Sequence, residues 1–245
     1  MIANVIILGC GRSGTSIFGE LFEHLPSYRY YFEPSSDAVR ALDYLAGPVA
    51  LKVPKLPLGS EMTPGLPILL EDLLAIVPSP RAIFWQVRHP LDAICSLRPG
   101  ISENWTHNPR PPDWEQWINR PVIERCARHW QFINTEGYAA VRDIATISHY
   151  ERLVETPKEF ALNICARVDF ATREAALNIE KWAASVSTLN SSESYNAKHQ
   201  VRWSTQDHTK RIERWRENLS PAEIEAVRPL LEQAGRAFGY KWPAI

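Results

Sequence analysis

The sequence predicts an α/β fold in which a parallel β-sheet is flanked by helices on both faces. Two observations support this prediction: apolar, β-branched runs alternate with segments of helical period, and the first run leads directly into a glycine-rich loop. Such alternation is typical of parallel sheets that are covered by helices. Because ligands of these sheets bind at the carboxyl ends of the strands, the residues that follow each strand are the first candidates for function.

The elements follow from local patterns. Strands are predicted where β-branched and aromatic residues cluster, at 4–8, 30–32, 49–53, 82–87 and 144–148. Helices are predicted where apolar residues recur at helical spacing or a start signal occurs, at 17–25, 36–45, 90–97, 122–141, 151–156, 157–167, 172–185 and 220–237. Residues 99–121 are rich in Pro, Trp and Asn without a clear period, which favours an acceptor-side loop or lid.

Length and composition limit the possible functions. The 245 residues suit a single domain spanning 1–245, and the net charge of −1 provides no general basic field for nucleic acid. The four cysteines are widely spaced and form no zinc-type cluster, which predicts buried thiols of a reducing compartment. No apolar run approaches the roughly 20 residues of a membrane span. We therefore expect a soluble, cytoplasmic protein.

The glycine-rich loop after the first strand is similar to a phosphate-binding loop. Gly9 and Gly14 have the spacing of a P-loop, but the lysine of that motif is absent and Arg12 lies inside the loop. Backbone N–H groups at a helix N-terminus favour an anion, and hydroxyl and guanidinium groups add donors. A P-loop-like three-layer sandwich is therefore expected, with a phosphate bound by Gly11, Arg12, Ser13, Gly14, Thr15 and Ser16. The alternative is a tight turn that serves only packing.

A P-loop small-molecule kinase is the main alternative function. Such an enzyme also needs magnesium ligands, usually including an Asp at the end of an apolar strand. The later strands end instead at Arg88 and at Ser148-His149, which disfavours a kinase and a metal requirement.

A second signature, VRHPLDAICS at 87–96, follows the fourth strand. Arg88 leaves the strand, and Ser96 lies eight residues later on the predicted helix. An arginine and a serine at such a place suit a second phosphate, provided that the connecting turn brings them together. The alternative is that Arg88 pairs with Asp92 on the helix surface while Ser96 only packs.

Together the two signatures resemble the sulfotransferases that use 3'-phosphoadenosine 5'-phosphosulfate (PAPS). GRSGTS at 11–16 resembles the family's loop for the 5'-phosphosulfate, and the segment from Arg88 to Ser96 resembles its site for the 3'-phosphate. The resemblance implies PAPS as donor and adenosine 3',5'-bisphosphate (PAP) as product, without a metal. It also implies a small-molecule or carbohydrate acceptor, and leaves open the acceptor's identity, the choice of hydroxyl or amine, and the oligomeric state.

Two further stretches extend the resemblance over the chain. SHYERLVETP at 148–157 resembles the family stretch whose tyrosine lies near the adenine, which implies that role for Tyr150. RIERWRENLSPAEIE at 211–225 resembles the family's late basic segment with a tryptophan, which makes Lys210 and Arg211 candidates for binding the 3'-phosphate. For Arg214 and Arg216 we favour a solvated helix face.

The resemblance also implies catalytic roles. Sulfuryl transfer develops negative charge on the sulfuryl and leaving-phosphate oxygens, so it needs positioning and fixed positive charge. We expect Arg12 at the bridging oxygen and Lys52 at the sulfuryl group. YFEP at 31–34 resembles the carbohydrate-type and bacterial branch, with an acid after the second strand, which implies Glu33 as general base. Alternatively, Glu33 only neutralises Arg12 or Lys52, or a histidine such as His107 is the base.

The tryptophans of the 99–121 loop suit an acceptor pocket. Aromatic rings offer stacking surfaces for sugars and other small molecules, and this is the role we expect for Trp105, Trp114 and Trp117. Packing of the loop against helices explains any one of them equally well.

Overall fold

A sheet of five parallel strands forms the centre of the protein. The computed structural model describes residues 2–53, 69–102, 105–188 and 212–244. The strands are β1 Asn4–Gly9, β2 Arg29–Phe32, β3 Val49–Lys52, β4 Arg81–Val87 and β5 Ala145–His149. They lie in the order β2-β3-β1-β4-β5, and each neighbouring pair is parallel. The predicted fold class is therefore confirmed.

Helices connect the strands and cover the sheet. The α-helices of the described residues are α1 Thr15–Glu23, α2 Ser36–Arg40, α3 Leu70–Ile76, α4 Pro90–Ile101, α5 Trp114–Trp117, α6 Val122–Phe132, α7 Tyr150–Glu155, α8 Pro157–Arg167, α9 Ala176–Thr188, α10 Trp215–Asn218 and α11 Pro221–Arg236. A 3₁₀ turn, Thr172–Glu174, precedes α9. α3 lies in a stretch where the sequence patterns predicted no element.

Alternate residues of the central strand face two separate hydrophobic clusters. In β1, Ile6 and Leu8 belong to one cluster, Val5 and Ile7 belong to the other, and all four are buried. α4, α6 and α11 pack into the first cluster, whereas α1, α8 and α9 pack into the second. Both faces of the sheet are thus covered, as parallel sheets require. The carboxyl ends of the strands are left as the place where several segments meet.

The helix predicted at 36–45 is shorter than its pattern suggested. α2 ends at Arg40, and Asp43 Oδ1 then accepts a hydrogen bond from the backbone N–H of Leu45 at 2.9 Å. An Asp side chain that binds a nearby backbone N–H offers the chain an alternative to helix, which explains the early end.

The helix predicted at 122–141 changes its type along its length. α6 ends at Phe132, and a π-helical turn, Ile133–Gly137, follows. Within that turn the buried Asn134 accepts a hydrogen bond from Trp85 Nε1 and donates one to the Trp130 carbonyl, both at 3.0 Å. Apolar periodicity does not reveal a polar contact of this kind.

The helix start signal at Ser220 predicted the beginning of its helix correctly. Ser220 and Glu223 form a reciprocal capping box at the start of α11, as their spacing predicted. The segment 99–121 contains some helix, because α4 continues to Ile101 and α5 is a single short turn at 114–117.

Two further expectations concern buried thiols and membrane-spanning segments. All four cysteines are buried and none forms a disulfide, so the prediction of buried thiols is confirmed. Within the described residues, no helix combines the length and apolar character needed to cross a membrane.

Candidate functional site

The loop between β1 and α1 ends at Gly14, the residue before the first turn of α1. Gly14 is the N-cap of α1 with φ of 87°, and it has no side chain to accept hydrogen bonds from the first-turn N–H groups. A Cβ at Gly14 would lie 2.3 Å from the ring of Tyr150. The buried Ser13 Oγ has no hydrogen-bond partner among the described residues. A helix N-terminus without a side-chain cap, next to a buried hydroxyl, fits an anionic ligand.

Arg12 joins the two sequence signatures. Its backbone is left-handed, with φ of 69°, and its Nε donates a hydrogen bond to Ser96 Oγ at 3.1 Å. Its carbonyl oxygen accepts one from Arg88 Nη1 at 3.3 Å. The structure therefore brings the glycine-rich loop and the segment 88–96 into direct contact.

Arg88 is buried between the loop and Tyr150. Its guanidinium carbon lies 4.3 Å from the centroid of the Tyr150 ring, a cation–π distance. Burial acts to lower the pKa of Arg88, but the nearby Tyr150 and Asp92 outweigh it, so the pKa is raised. Arg88 is a permanent cation in a place largely closed to water.

Arg88 and Asp92 are both buried, so any pair between them does not lie on the helix surface, although Asp92 acts electrostatically on Arg88. The Asp92 carboxylate accepts hydrogen bonds from the backbone N–H groups of Glu213 at 2.8 Å and Trp215 at 3.0 Å. Asp92 thereby fixes the segment that begins α10 against the start of α4.

Arg214 was misassigned by the sequence analysis. Only 4% of its surface is exposed, whereas the side chain of Arg216 is 56% exposed. The solvated face predicted for both arginines therefore holds for Arg216 and is wrong for Arg214. The short helix α10 has no long apolar stripe from which this burial could have been predicted. Lys210 and Arg211 lie outside the described residues.

A second cluster lies at the ends of β2 and β3. Lys52 Nζ is 2.6 Å from Glu33 Oε1, and the two side chains are 4% and 24% exposed. Lys52 Nζ also lies 4.0 Å from the Phe32 ring centroid. Because β3 is the direct neighbour of β1, this ion pair follows the strand beside the glycine-rich loop.

The segment 105–121 contributes both core packing and a histidine. Trp105 is fully buried, and its Nε1 donates to His129 Nδ1 at 3.2 Å, so it offers no stacking surface to an acceptor. Trp114 is partly exposed and carries the Arg110 guanidinium over its ring at 4.3 Å. Trp117 Nε1 donates to Asp113 at 3.0 Å.

His107 lies against the glycine-rich loop. A Cβ at Gly11 would be 3.5 Å from His107 Nδ1, and one at Gly100 would be 2.2 Å from His107 Nε2. The imidazole therefore occupies the space that these two glycines leave. Among the residues that the structure describes, no group of three or more His, Cys, Asp or Glu could hold a metal ion.

Comparisons with known proteins give a consistent fold. No protein-family model matches the sequence, and no curated protein matches it significantly. Among solved structures, the chain is similar to mouse sulfotransferase SULT7A1 complexed with PAP, with 12% identity, a TM-score of 0.54, and coverage of 96% of this chain and 84% of that one.

Two bacterial structures give similar values. Sulfotransferase STF9 from Mycobacterium avium has 14% identity and a TM-score of 0.56, covering 99% of this chain and 79% of that one. The sulfotransferase domain of the Synechococcus PCC 7002 olefin synthase has 16% identity and a TM-score of 0.56, covering 98% and 96%. The chain therefore has the fold of these sulfotransferases.

Proposed function

We propose that the protein is a PAPS-dependent sulfotransferase. It would move a sulfuryl group from PAPS to a hydroxyl, or an amine, of a small-molecule or carbohydrate acceptor and release PAP. The observation that carries the proposal is the contact of Arg12 with Ser96, which joins two phosphate-type signatures beside the Lys52–Glu33 pair. The structural neighbour complexed with PAP supports the choice of donor.

The donor's two anionic ends are assigned to different segments. Residues 11–16 would hold the 5'-phosphosulfate through N–H groups, hydroxyls and the Arg12 guanidinium. Arg88 and Ser96 would hold the 3'-phosphate, and Tyr150 would lie near the adenine. Lys210 and Arg211 remain proposed contacts to the 3'-phosphate. No step of this scheme uses a metal ion.

The roles proposed for Arg12, Lys52 and Glu33 follow from where charge develops during sulfuryl transfer. The bond between sulfur and the acceptor oxygen forms while the bond between sulfur and the bridging phosphate oxygen breaks. Arg12 stabilises the charge that collects on the leaving phosphate, and Lys52 stabilises the sulfuryl oxygens. Glu33 accepts the proton that the acceptor loses. Each preorganised cation is expected to lower the barrier by about 3 kcal/mol.

The ion pair with Lys52 fixes the position of the Glu33 carboxylate. Lys52 is almost fully buried while Glu33 remains partly exposed, so Glu33 is the member of the pair that an acceptor can reach. The other hypothesis, that Glu33 only balances the charge of Lys52, predicts a different kinetic result.

Transfer from sulfur-labelled PAPS to a panel of sugars, phenols and amines tests the function. Glu33→Gln removes the base but keeps the shape of the side chain, and is expected to lower kcat by roughly 100- to 10,000-fold with little change in PAP affinity. Glu155→Gln, an exposed residue of α7, is the matched control and should retain full activity. If Glu33→Gln changes kcat by less than about threefold while Lys52→Ala abolishes transfer, Glu33 serves only to balance charge.

The proposal also covers the extent of the domain and the cellular compartment. Residues 1–245 would act as a single sulfotransferase domain, with 99–121 on the acceptor side, where His107 approaches the loop. The cytoplasm is the proposed compartment, in keeping with cysteines that are buried and unpaired.

A further inference from the structure

A cavity of about 290 Å³ lies beside β5, the last strand of the sheet, and the proposed function assigns it no role. Residues 146–149 of β5 line it together with residues of α7 and α8. The described residues that are assigned above to the donor or to catalysis are not among those that line it. Small-molecule sites begin at about 300 Å³, so the cavity has room for a small organic compound.

One wall of the cavity is apolar. Phe84 of β4 lines it together with Phe160 and Ile164 of α8, and all three side chains are buried. Phe160 and Ile164 are four residues apart, so they lie on the same face of α8. A wall of this kind favours a ligand with a compact apolar body.

Ser148, near the carboxyl end of β5, brings a buried hydroxyl to this cavity. Only 6% of the residue is exposed, and its Oγ has no hydrogen-bond partner among the described residues. A buried hydroxyl without a partner is unfavourable, and an alanine at this position would avoid it. Ser148 therefore offers a hydrogen bond to a molecule in the cavity.

The start of α8 makes the same end of the cavity attractive to an anion. Thr156, the N-cap of this 11-residue helix, provides no side-chain cap, because its Oγ1 donates to the Arg152 carbonyl at 3.2 Å. The positive end of the helix dipole therefore has no hydroxyl cap there. Among the charged residues that line the cavity, Arg152 and Arg167 outnumber Glu159, so the net charge around it is positive.

We propose that this cavity binds a small carboxylate with an apolar body, such as an aryl- or alkylcarboxylate. The carboxylate accepts hydrogen bonds from Ser148 and Arg152 beside the start of α8, and the apolar body packs against Phe160 and Ile164. Arg167 lies at the opposite end of α8, where its charge complements the helix dipole, so the carboxylate is placed at the first end. The inference does not depend on the proposed function, because the two sites use different residues.

Titration of isotope-labelled protein with two matched compounds, followed by NMR, tests this site. Phenylacetate carries the carboxylate, and phenylacetamide has nearly the same shape without the charge. Arg152→Gln and Ser148→Ala each remove one proposed contact. Arg142→Gln is the control, since Arg142 is exposed, pairs with Asp143 and does not line the cavity. Amide chemical shifts locate the bound compound, and the unfolding temperature of each unliganded variant is recorded.

The expected result is selective for the carboxylate. Phenylacetate should give saturable shifts in β5 and at the start of α8, and phenylacetamide should bind roughly fivefold more weakly. Arg152→Gln should weaken phenylacetate binding by roughly fivefold and leave phenylacetamide binding unchanged. Arg142→Gln should bind both compounds as the unchanged protein does.

Ser148→Ala separates binding from structure. Loss of the hydroxyl should weaken phenylacetate binding by about threefold to tenfold. The unfolding temperature of the unliganded variant should be equal to or higher than that of the unchanged protein, because the hydroxyl has no partner among the described residues.

Three results would overturn the inference. Equal affinity for phenylacetate and phenylacetamide would show that the site does not select a carboxylate. A lack of saturable shifts in β5 and α8 would show that the cavity is not the binding site. Competitive displacement of phenylacetate by PAP would make the cavity part of the donor site. Failure of the protein to bind PAP, in contrast, would count against the proposed function alone.

Discussion

The two regions proposed to hold the donor's anionic groups are built in different ways. The glycine-rich loop is a continuous segment, 9–16, whose shape depends on backbone conformation and on the start of α1. The second region combines Arg88 and Asp92 near the start of α4 with the segment before α10 that Asp92 fixes in place, more than a hundred residues later in the chain. A continuous motif can be recognised from its spacing, whereas a region assembled from distant segments depends on tertiary contacts that spacing does not contain.

Tyr150 connects the two regions. Its ring lies against Gly14 of the loop and under the guanidinium of Arg88. A change on either side of this ring is therefore expected to affect both regions. Substitutions that act on one region alone sharpen the distinction between them.

The largest effect is expected at Gly14. In Gly14→Ala, the added Cβ would lie 2.3 Å from Tyr150 in a backbone conformation with φ of 87°, so the ring must move. The conformational cost alone is about 1–2 kcal/mol, and the displaced ring should raise the loss of unfolding free energy to about 3 kcal/mol or more. Chemical denaturation measures this loss, and calorimetry should show that PAP binding is lost as well.

Gly239→Ala is the matched control for this substitution. Gly239 has φ of 83°, but nothing lies within 4 Å of a Cβ there. It should cost only about 1–2 kcal/mol and leave PAP binding intact. Equal stability losses at the two glycines would contradict the contact between the loop and Tyr150.

A smaller effect is expected at Asp92. Asp92→Asn replaces one of two accepting oxygens by an NH₂ group that faces a backbone N–H, so one buried donor loses its partner. The expected loss is about 2 kcal/mol of unfolding free energy. PAP affinity should fall while affinity for adenosine 5'-phosphate is retained, because only the second region is loosened.

Asp143→Asn provides the comparison for Asp92, since the Asp143 side chain is 88% exposed. This control should change stability by less than about 0.5 kcal/mol. A loss of affinity for both nucleotides in Asp92→Asn would show that the two regions are not separable.

The smallest effect concerns acid stability and two histidines, the buried His129 and the partly buried His89. Burial, with a contribution from His107, lowers the pKa of His129 well below its usual value of 6.5. Burial also lowers the pKa of His89, but Asp92 and Glu151 oppose that lowering. Each histidine has a lower pKa in the folded protein than in the unfolded chain, so unfolding takes up protons as the pH falls below about 6.5 and stability falls with it.

His129 should account for most of this acid sensitivity. A histidine that stays neutral when folded contributes a loss of about 1.4 kcal/mol per pH unit below its unfolded pKa. Unfolding free energies between pH 7 and pH 5 should therefore vary less with pH in His129→Gln than in His89→Gln. The opposite order would show that the environment of His129 is not as closed to water as its burial implies.

Features that depend on local spacing could be predicted from the sequence, whereas features assembled from distant segments could not. The parallel sheet, the loop at 9–16 and the capping box at Ser220 depend on local spacing, and the sequence contained those signals. The proximity of Glu33 and Lys52 could be expected because both follow strands of one sheet. In contrast, the burial of Arg214 depends on Asp92, far away in the chain, and Trp105 packs in the core because of His129. No local pattern carries either contact.

Thermal unfolding with two ligands tests the central claim, that this site binds a nucleotide with two separate phosphates as a sulfotransferase does. At about 100 times its dissociation constant, a ligand adds about 2.7 kcal/mol to the free energy of unfolding, which for a chain of this size raises Tm by roughly 5–10 °C. The account predicts this shift with PAP and none with ATP plus magnesium. A shift with ATP plus magnesium and none with PAP would contradict it and indicate a P-loop kinase.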